Sequence, residues 1–172
     1  MPNKQDMGAY PPYFSRYISL VENEELNSIL KKQPAESFPF FNSISQDKWS
    51  YKYAENKWTI KEVLQHITDT ERVFAFRALV FARKDPNTFP SFDENEYANN
   101  SKANDRNPAD LIEEFLAVRK STQLLFESFS DEQLNAIGKA SSYEMSVMAI
   151  GYMIPGHFEH HLKILKERYF TD

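Results

Sequence analysis

Four histidines carry most of the chemistry open to this chain, because its 172 residues include no cysteine. His157 and His161 lie in GHFEHHLKIL, four residues apart. On a helix that spacing stacks both imidazoles on one face, where they can point at a single metal ion. His66, in the middle of another periodic segment, is the candidate third ligand. Neutral imidazole suits zinc, nickel, iron or copper, and three such ligands leave coordination positions for water or substrate. The bland reading stays open beside this one: a histidine on an apolar face is often a hydrogen-bonded core residue, and spacing alone does not choose. His160 points away from the pair and is expected to be a supporting or surface residue.

Other chemistries are removed by what the chain lacks. Without cysteine there are no disulfides, thiolate nucleophiles or iron–sulfur clusters. The glutamate of an H-E-x-x-H protease helix is replaced by Phe158, and Glu159 falls on the opposite side from the histidine pair. Gly151 and Gly156 have the gap of a phosphate loop, but His157 and Phe158 follow instead of Lys and Ser or Thr. The net charge of -5 offers no general attraction for nucleic acid or anionic lipid. Mean hydropathy is -0.60, and the longest uncharged apolar stretch, 145–154, is well short of the ~20 residues of a membrane span. MPNKQDMGAYPPYF has no apolar signal core, so a cytoplasmic location is expected.

Holding the histidines in register requires long helices. Residues 57–83 place Ile60, Val63, Leu64, Ile67, Phe74, Ala78 and Phe81 at helical spacing. Thr59 and Glu62 form a capping box, and Lys84-Asp85-Pro86 supplies the stop. His66 falls on the flank of this helix's apolar stripe, about 105° from its middle at ~100° per residue. A polar connection over 85–107 follows. Asn107-Pro108 opens a helix running toward Phe129, Ser130 and Gln133 start a short one ending near Gly138, and Ser141 with Glu144 are read as the box of the last. Pro155-Gly156 is expected to bend that last helix or restart it. A short helix and then a longer one are expected before residue 57. Prolines fall mainly between periodic segments and no period-2 strand stands out, so an all-α, single-domain bundle spanning 1–172 is expected.

KWTIKEVLQHITDTE paired with the late GHFEHH resembles the DinB-like superfamily, in particular its YfiT-type branch, which includes bacillithiol S-transferases. FDENEY, the run from Arg119 to Thr122 and the terminal HLKILKERY are similar too, so the resemblance covers most of the chain. It implies a four-helix bundle in up-down-down-up order with one long crossover. It also implies metal ligation by His66, His157 and His161, with nickel or zinc first and iron or manganese as alternatives. Related proteins are often dimers, so a homodimer is admitted, although no stretch of this sequence selects an interface.

On that footing the leading expectation is a metal-dependent transferase joining a low-molecular-weight thiol to small electrophiles, the thiol arriving as a cosubstrate. The alternatives are a metal-dependent hydrolase of a small acyl or amide substrate and a non-catalytic metal-binding stress-response module. Asp69 and Thr70, one turn from His66, are candidates to orient its ring, though a solvated Asp and a border Thr fit equally well. Asp93 and Glu94 are weighed as loop residues covering the site against an ordinary hydrated loop. Arg77 and Arg119 are weighed as anchors for an anionic substrate against ordinary salt bridges.

Overall fold

The computed structural model describes residues 4–170. Its helices are α1 (Ser15–Ile18), α2 (Leu26–Asn42), α3 (Ile60–Ala82), α4 (Glu94–Asn100), α5 (Pro108–Glu127), α6 (Asp131–Leu134) and α7 (Val147–Ile164). A hairpin of β1 (Ile137–Ala140) and β2 (Tyr143–Ser146) precedes α7, and Leu165–Tyr169 prolongs α7 with π winding.

Cross-helix contacts give the directions of the four long helices. Gln65 bonds Arg106 at 2.7 Å and Glu71 pairs with Arg119 at 2.8 Å, so α3 and α5 run parallel. The carbonyl of Trp58 accepts from the Tyr169 hydroxyl and His66 meets His157, so α3 and α7 are antiparallel. Gln33 contacts Arg119 while Phe41 lies by Phe115, which makes α2 antiparallel to α5. Leu26 packs on Gly151 and Gln33 bonds Glu159, which makes α2 parallel to α7. The order is therefore up-down-down-up. Two parallel neighbours cannot be joined by a tight turn, and residues 83–107 form the crossover between α3 and α5.

The local start signals at Thr59, Asn107 and Ser130 all cap as expected: each side chain accepts an amide of the first turn, and Thr59 and Ser130 close full capping boxes. Arg83 ends α3 and Lys84 turns left-handed at φ 58°. Two expectations are corrected. Ser141 and Glu144 do not cap a helix: Ser141 sits at the hairpin tip with φ 56°, and Ser146 caps α7 by accepting from the Ala149 amide. Of the two outcomes expected at Pro155-Gly156, the restart is overturned: the last helix continues as α7 through both residues. Pro34 and Pro39 likewise lie inside α2. Each interior proline costs about 3 kcal/mol in an isolated helix. Here α2 and α7 keep their apolar faces packed against the bundle, and tertiary burial outweighs that local cost.

Apolar packing falls into two clusters at opposite ends of the bundle. One gathers the first half of α7, the start of α2 and the ends of α3 and α5; the other gathers Phe41, Leu64, Phe115, Phe158 and their neighbours. Gln33, Glu71, Arg119 and His157 lie between them, all buried.

Candidate metal centre

The α3 capping box fixes where that helix begins, and so sets His66 almost two turns in. On α7, His157 and His161 occupy successive turns of the side facing α3. The result is convergence: His157 Nε2 lies 3.0 Å from His66 Nε2 and 3.1 Å from His161 Nε2. One ring nitrogen from each of the three falls within 4.8 Å of the others. His66 and His157 are buried, with 8% and 6% of their surface exposed, and His161 is partly buried.

Burial also sets their charge state. It pushes His66 down to about 4, and the nearby His160 adds repulsion. Burial first, and the neighbouring imidazoles second, hold His157 and His161 well below the ordinary value of 6.5. All three are neutral at pH 7, so each ring offers a lone pair. A single imidazole N–H cannot satisfy three nitrogens aimed at one another, whereas a cation accepts all three lone pairs together. Nitrogens bound to one zinc at about 2.0–2.1 Å lie about 3 Å or slightly more apart, close to the separations of His157 from His66 and from His161. The donor set fits a divalent ion.

Rings wedge the imidazoles in place. Trp58 packs 4.7 Å from His66 between ring centroids, and Tyr17 stands edge-on to His157 at 5.4 Å. Tyr17 comes this close because Gly156 has no side chain: a Cβ there would lie 2.3 Å from the Tyr17 carbonyl oxygen. Beside the triad opens a cavity of about 380 Å³. The N-terminal segment contributes Tyr13, Phe14 and Arg16 to its wall, α3 contributes Thr70, Phe74 and Arg77, and Ser141, Tyr143 and Met145 come from the hairpin.

The remaining candidates separate cleanly. Thr70 Oγ1 is 3.5 Å from His66 Nδ1, so it stands behind the ring. Asp69 does not: it accepts from Gln65 at 2.9 Å and faces Arg72 at 3.5 Å. Arg77 and Glu94 line the cavity, while Asp93 turns away to cap α4. His160 lines the cavity outside the triad, edge-on to Tyr17 at 5.2 Å. Arg119 is not a substrate anchor. It is 1% exposed and pairs with Glu71 in the bundle interior, because the parallel run of α3 and α5 brings the two charges together there. Sequence reasoning missed Trp58, Tyr17 and the hairpin residues. The only local sign of the hairpin is four residues either side of Ser141-Ser142, a pair without the Asn-Gly or Asp-Gly chemistry that marks tight turns.

The family model of the DinB superfamily matches residues 29–165. No curated protein matches the chain by sequence. Among solved structures, YfiT from Bacillus subtilis, described as a probable metal-dependent hydrolase with an unusual four-helix bundle topology, superposes with TM-score 0.70 at 13% identity, over 93% of this chain and 88% of its own. The DinB-like protein YjoA from Bacillus subtilis superposes with TM-score 0.59 at 20% identity, over 83% of this chain and 87% of its own. At those identities the likeness concerns the fold, and it agrees with the helix order derived above from side-chain contacts. The histidines the chain contributes at mid-bundle thus sit in an architecture shared with both proteins, and with four-fifths of its length matched the chain belongs to the DinB superfamily.

Proposed function

We propose that this chain is a divalent-metal-dependent enzyme in which His66, His157 and His161 hold the ion, and that it transfers a low-molecular-weight thiol to a small electrophile. The observation that carries the reading is three neutral imidazoles converging at the wall of an open cavity. When bound, a divalent ion supplies Lewis acidity, which favours the thiolate of an exogenous thiol at neutral pH or, in the hydrolytic reading suggested by YfiT, activates water. The chain's own residues lean toward the first. Among the described residues Glu94 is the sole carboxylate lining the cavity, and it comes from the crossover rather than from the turns beside the triad. The acids nearest His66 on α3 are all bonded elsewhere: Glu62 to Thr59 and Asn104, Asp69 to Gln65 and Arg72, and Glu71 to Arg119. With no carboxylate against its histidines, the cavity offers water His160 alone as a nearby general base, whereas a thiol of pKa about 8.5 needs little help to ionise. Trp58, Tyr17 and Phe74 orient the rings and keep bulk water from their apolar faces.

Two measurements test this. Elemental analysis of the purified protein is expected to find one divalent ion per chain and none in His66→Ala; equal loading removes the three-histidine assignment. Incubation of the metal-loaded protein with 1-chloro-2,4-dinitrobenzene is expected to give turnover only with an added thiol such as bacillithiol. Hydrolysis of a p-nitrophenyl ester without thiol, abolished by His66→Ala, would select the hydrolytic reading instead.

A further inference from the structure

The lining of the cavity has a polarity that the metal reading does not use. The protein carries an excess of acid, with a net charge of -5, yet the cavity holds two guanidinium groups and one carboxylate. Arg77 is the one without a use. It is 7% exposed, donates Nη2 to the Pro90 carbonyl at 2.9 Å, and sits over the Phe92 ring at 5.9 Å. Among the described residues no carboxylate comes within ion-pairing distance, and burial pushes its pKa down with no opposing partner. Every other buried cation is better supplied: Arg119 spends its donors on Glu71 and Gln33, and Lys61 bonds the carbonyls of Asn104 and Arg106. A guanidinium has five N–H donors, and with one given to Pro90 the others stay available to an acceptor that enters the cavity Arg77 lines.

Position gives the rest. Arg77 follows His66 by eleven residues, three helical turns, so both project from one face of α3, about 16 Å apart along the axis. Thr70 and Phe74 lie between them on that face and line the same cavity. A long helical side chain leans back toward the helix N-terminus, which here is the direction of the histidines.

We propose that Arg77 is a specificity-determining residue that binds the carboxylate of an elongated substrate, holding its apolar body along Phe74 and Phe92 and its reacting end toward the three histidines. A planar fork of parallel N–H groups matches a carboxylate. Arg16, exposed at the mouth and bonded to the Tyr17 hydroxyl at 2.6 Å, adds positive potential at the entrance. This inference rests on the cavity being the reaction site, but not on which metal or nucleophile works there.

The test uses metal-stripped whole protein and two probes of one shape, 4-phenylbutyrate and its neutral amide, followed by ligand-observed NMR titration. The acid is expected to bind at least tenfold more tightly than the amide, and Arg77→Gln to bring the two to equality. Arg77→Lys should retain part of the preference. In the wild-type protein the Arg77 Nε–H resonance should move with the acid and not with the amide, a readout that needs no variant to fold. Equal binding of acid and amide, absence of binding by either, or a preference that survives Arg77→Gln would overturn the proposal. A preference that appears only in metal-loaded protein would place the carboxylate on the ion, and also overturn it. Failure of the metal reading is separate: it leaves metal content at zero while the acid preference of the stripped protein stands.

Discussion

Arg119 and the three histidines lie between the same two apolar clusters, and both are surrounded by protein, yet their partners differ in kind. The Arg119 guanidinium donates to both oxygens of Glu71 and to Gln33, and Gln33 in turn bonds Glu159 and the Pro155 carbonyl. Four helices are tied by that chain: α5, α3, α2 and α7. Phe115 and Phe158 cover the guanidinium faces at 5.4 and 5.6 Å. The histidines, by contrast, have chiefly one another, three like acceptors beside an opening. A buried polar group therefore does not mark a site by being buried. It marks one when the protein gives it no complementary partner and leaves room for something that could be one.

That comparison breaks most readily at Glu71. Glu71→Ala strands a buried guanidinium and is expected to cost about 3–5 kcal/mol of stability in chemical denaturation, with metal content per folded chain unchanged. His157→Ala should do the reverse: the ion is lost, and the metal-free protein unfolds close to wild type. If both variants lost metal and stability together, the two clusters would be one unit.

Next in size is the wall itself. Gly156→Ala drives a methyl group into the Tyr17 carbonyl and is expected to cost about 1–3 kcal/mol, while loosening the ring that stands against His157. Thermal denaturation and the His157 ring resonances report both effects.

Acid separates the clusters more gently. Because His66 is held at about 4 against an ordinary 6.5, the unfolded chain binds more protons than the folded one between those values. Stability of the metal-free protein is then complete above pH 6.5 and falls as the pH drops toward 4, by up to about 1.4 kcal/mol per unit for each imidazole kept neutral. Denaturation midpoints from pH 4 to 8 should trace that slope, and His157→Ala should flatten it. The smallest effect is expected at Thr70. Thr70→Val removes the hydroxyl 3.5 Å from His66 Nδ1 and should weaken metal affinity about tenfold with little change in stability, measured by competition with a chelating dye.

How much of this was legible in advance depended on range. Caps at Thr59, Asn107 and Ser130 were readable because the bonds they make close within three residues. The last helix was misplaced at its start, since Ser141 and Glu144 carry the same local signature as a true box, and only pairing of β1 with β2 tells them apart. Pro155 is expected to bend or restart its helix, as it would in isolation, yet α7 runs through it, as α2 runs through Pro34 and Pro39. Asp69 and Arg119 could not be assigned by spacing, because their neighbours, Arg72 and Glu71, are chosen by helix packing as much as by sequence distance.

The sequence by itself determined the helices that hold His66, His157 and His161, since 3.6-residue periodicity and capping chemistry are local properties of the chain. It also determined that the chain has no thiol of its own. Only the tertiary structure decided that the three imidazoles converge, that Trp58 and Tyr17 fence them, that Arg119 is closed off and that Arg77 is left open to a cavity. Those outcomes depend on which helix faces lie against each other, and that is fixed by burial summed over the whole bundle, not by any one segment.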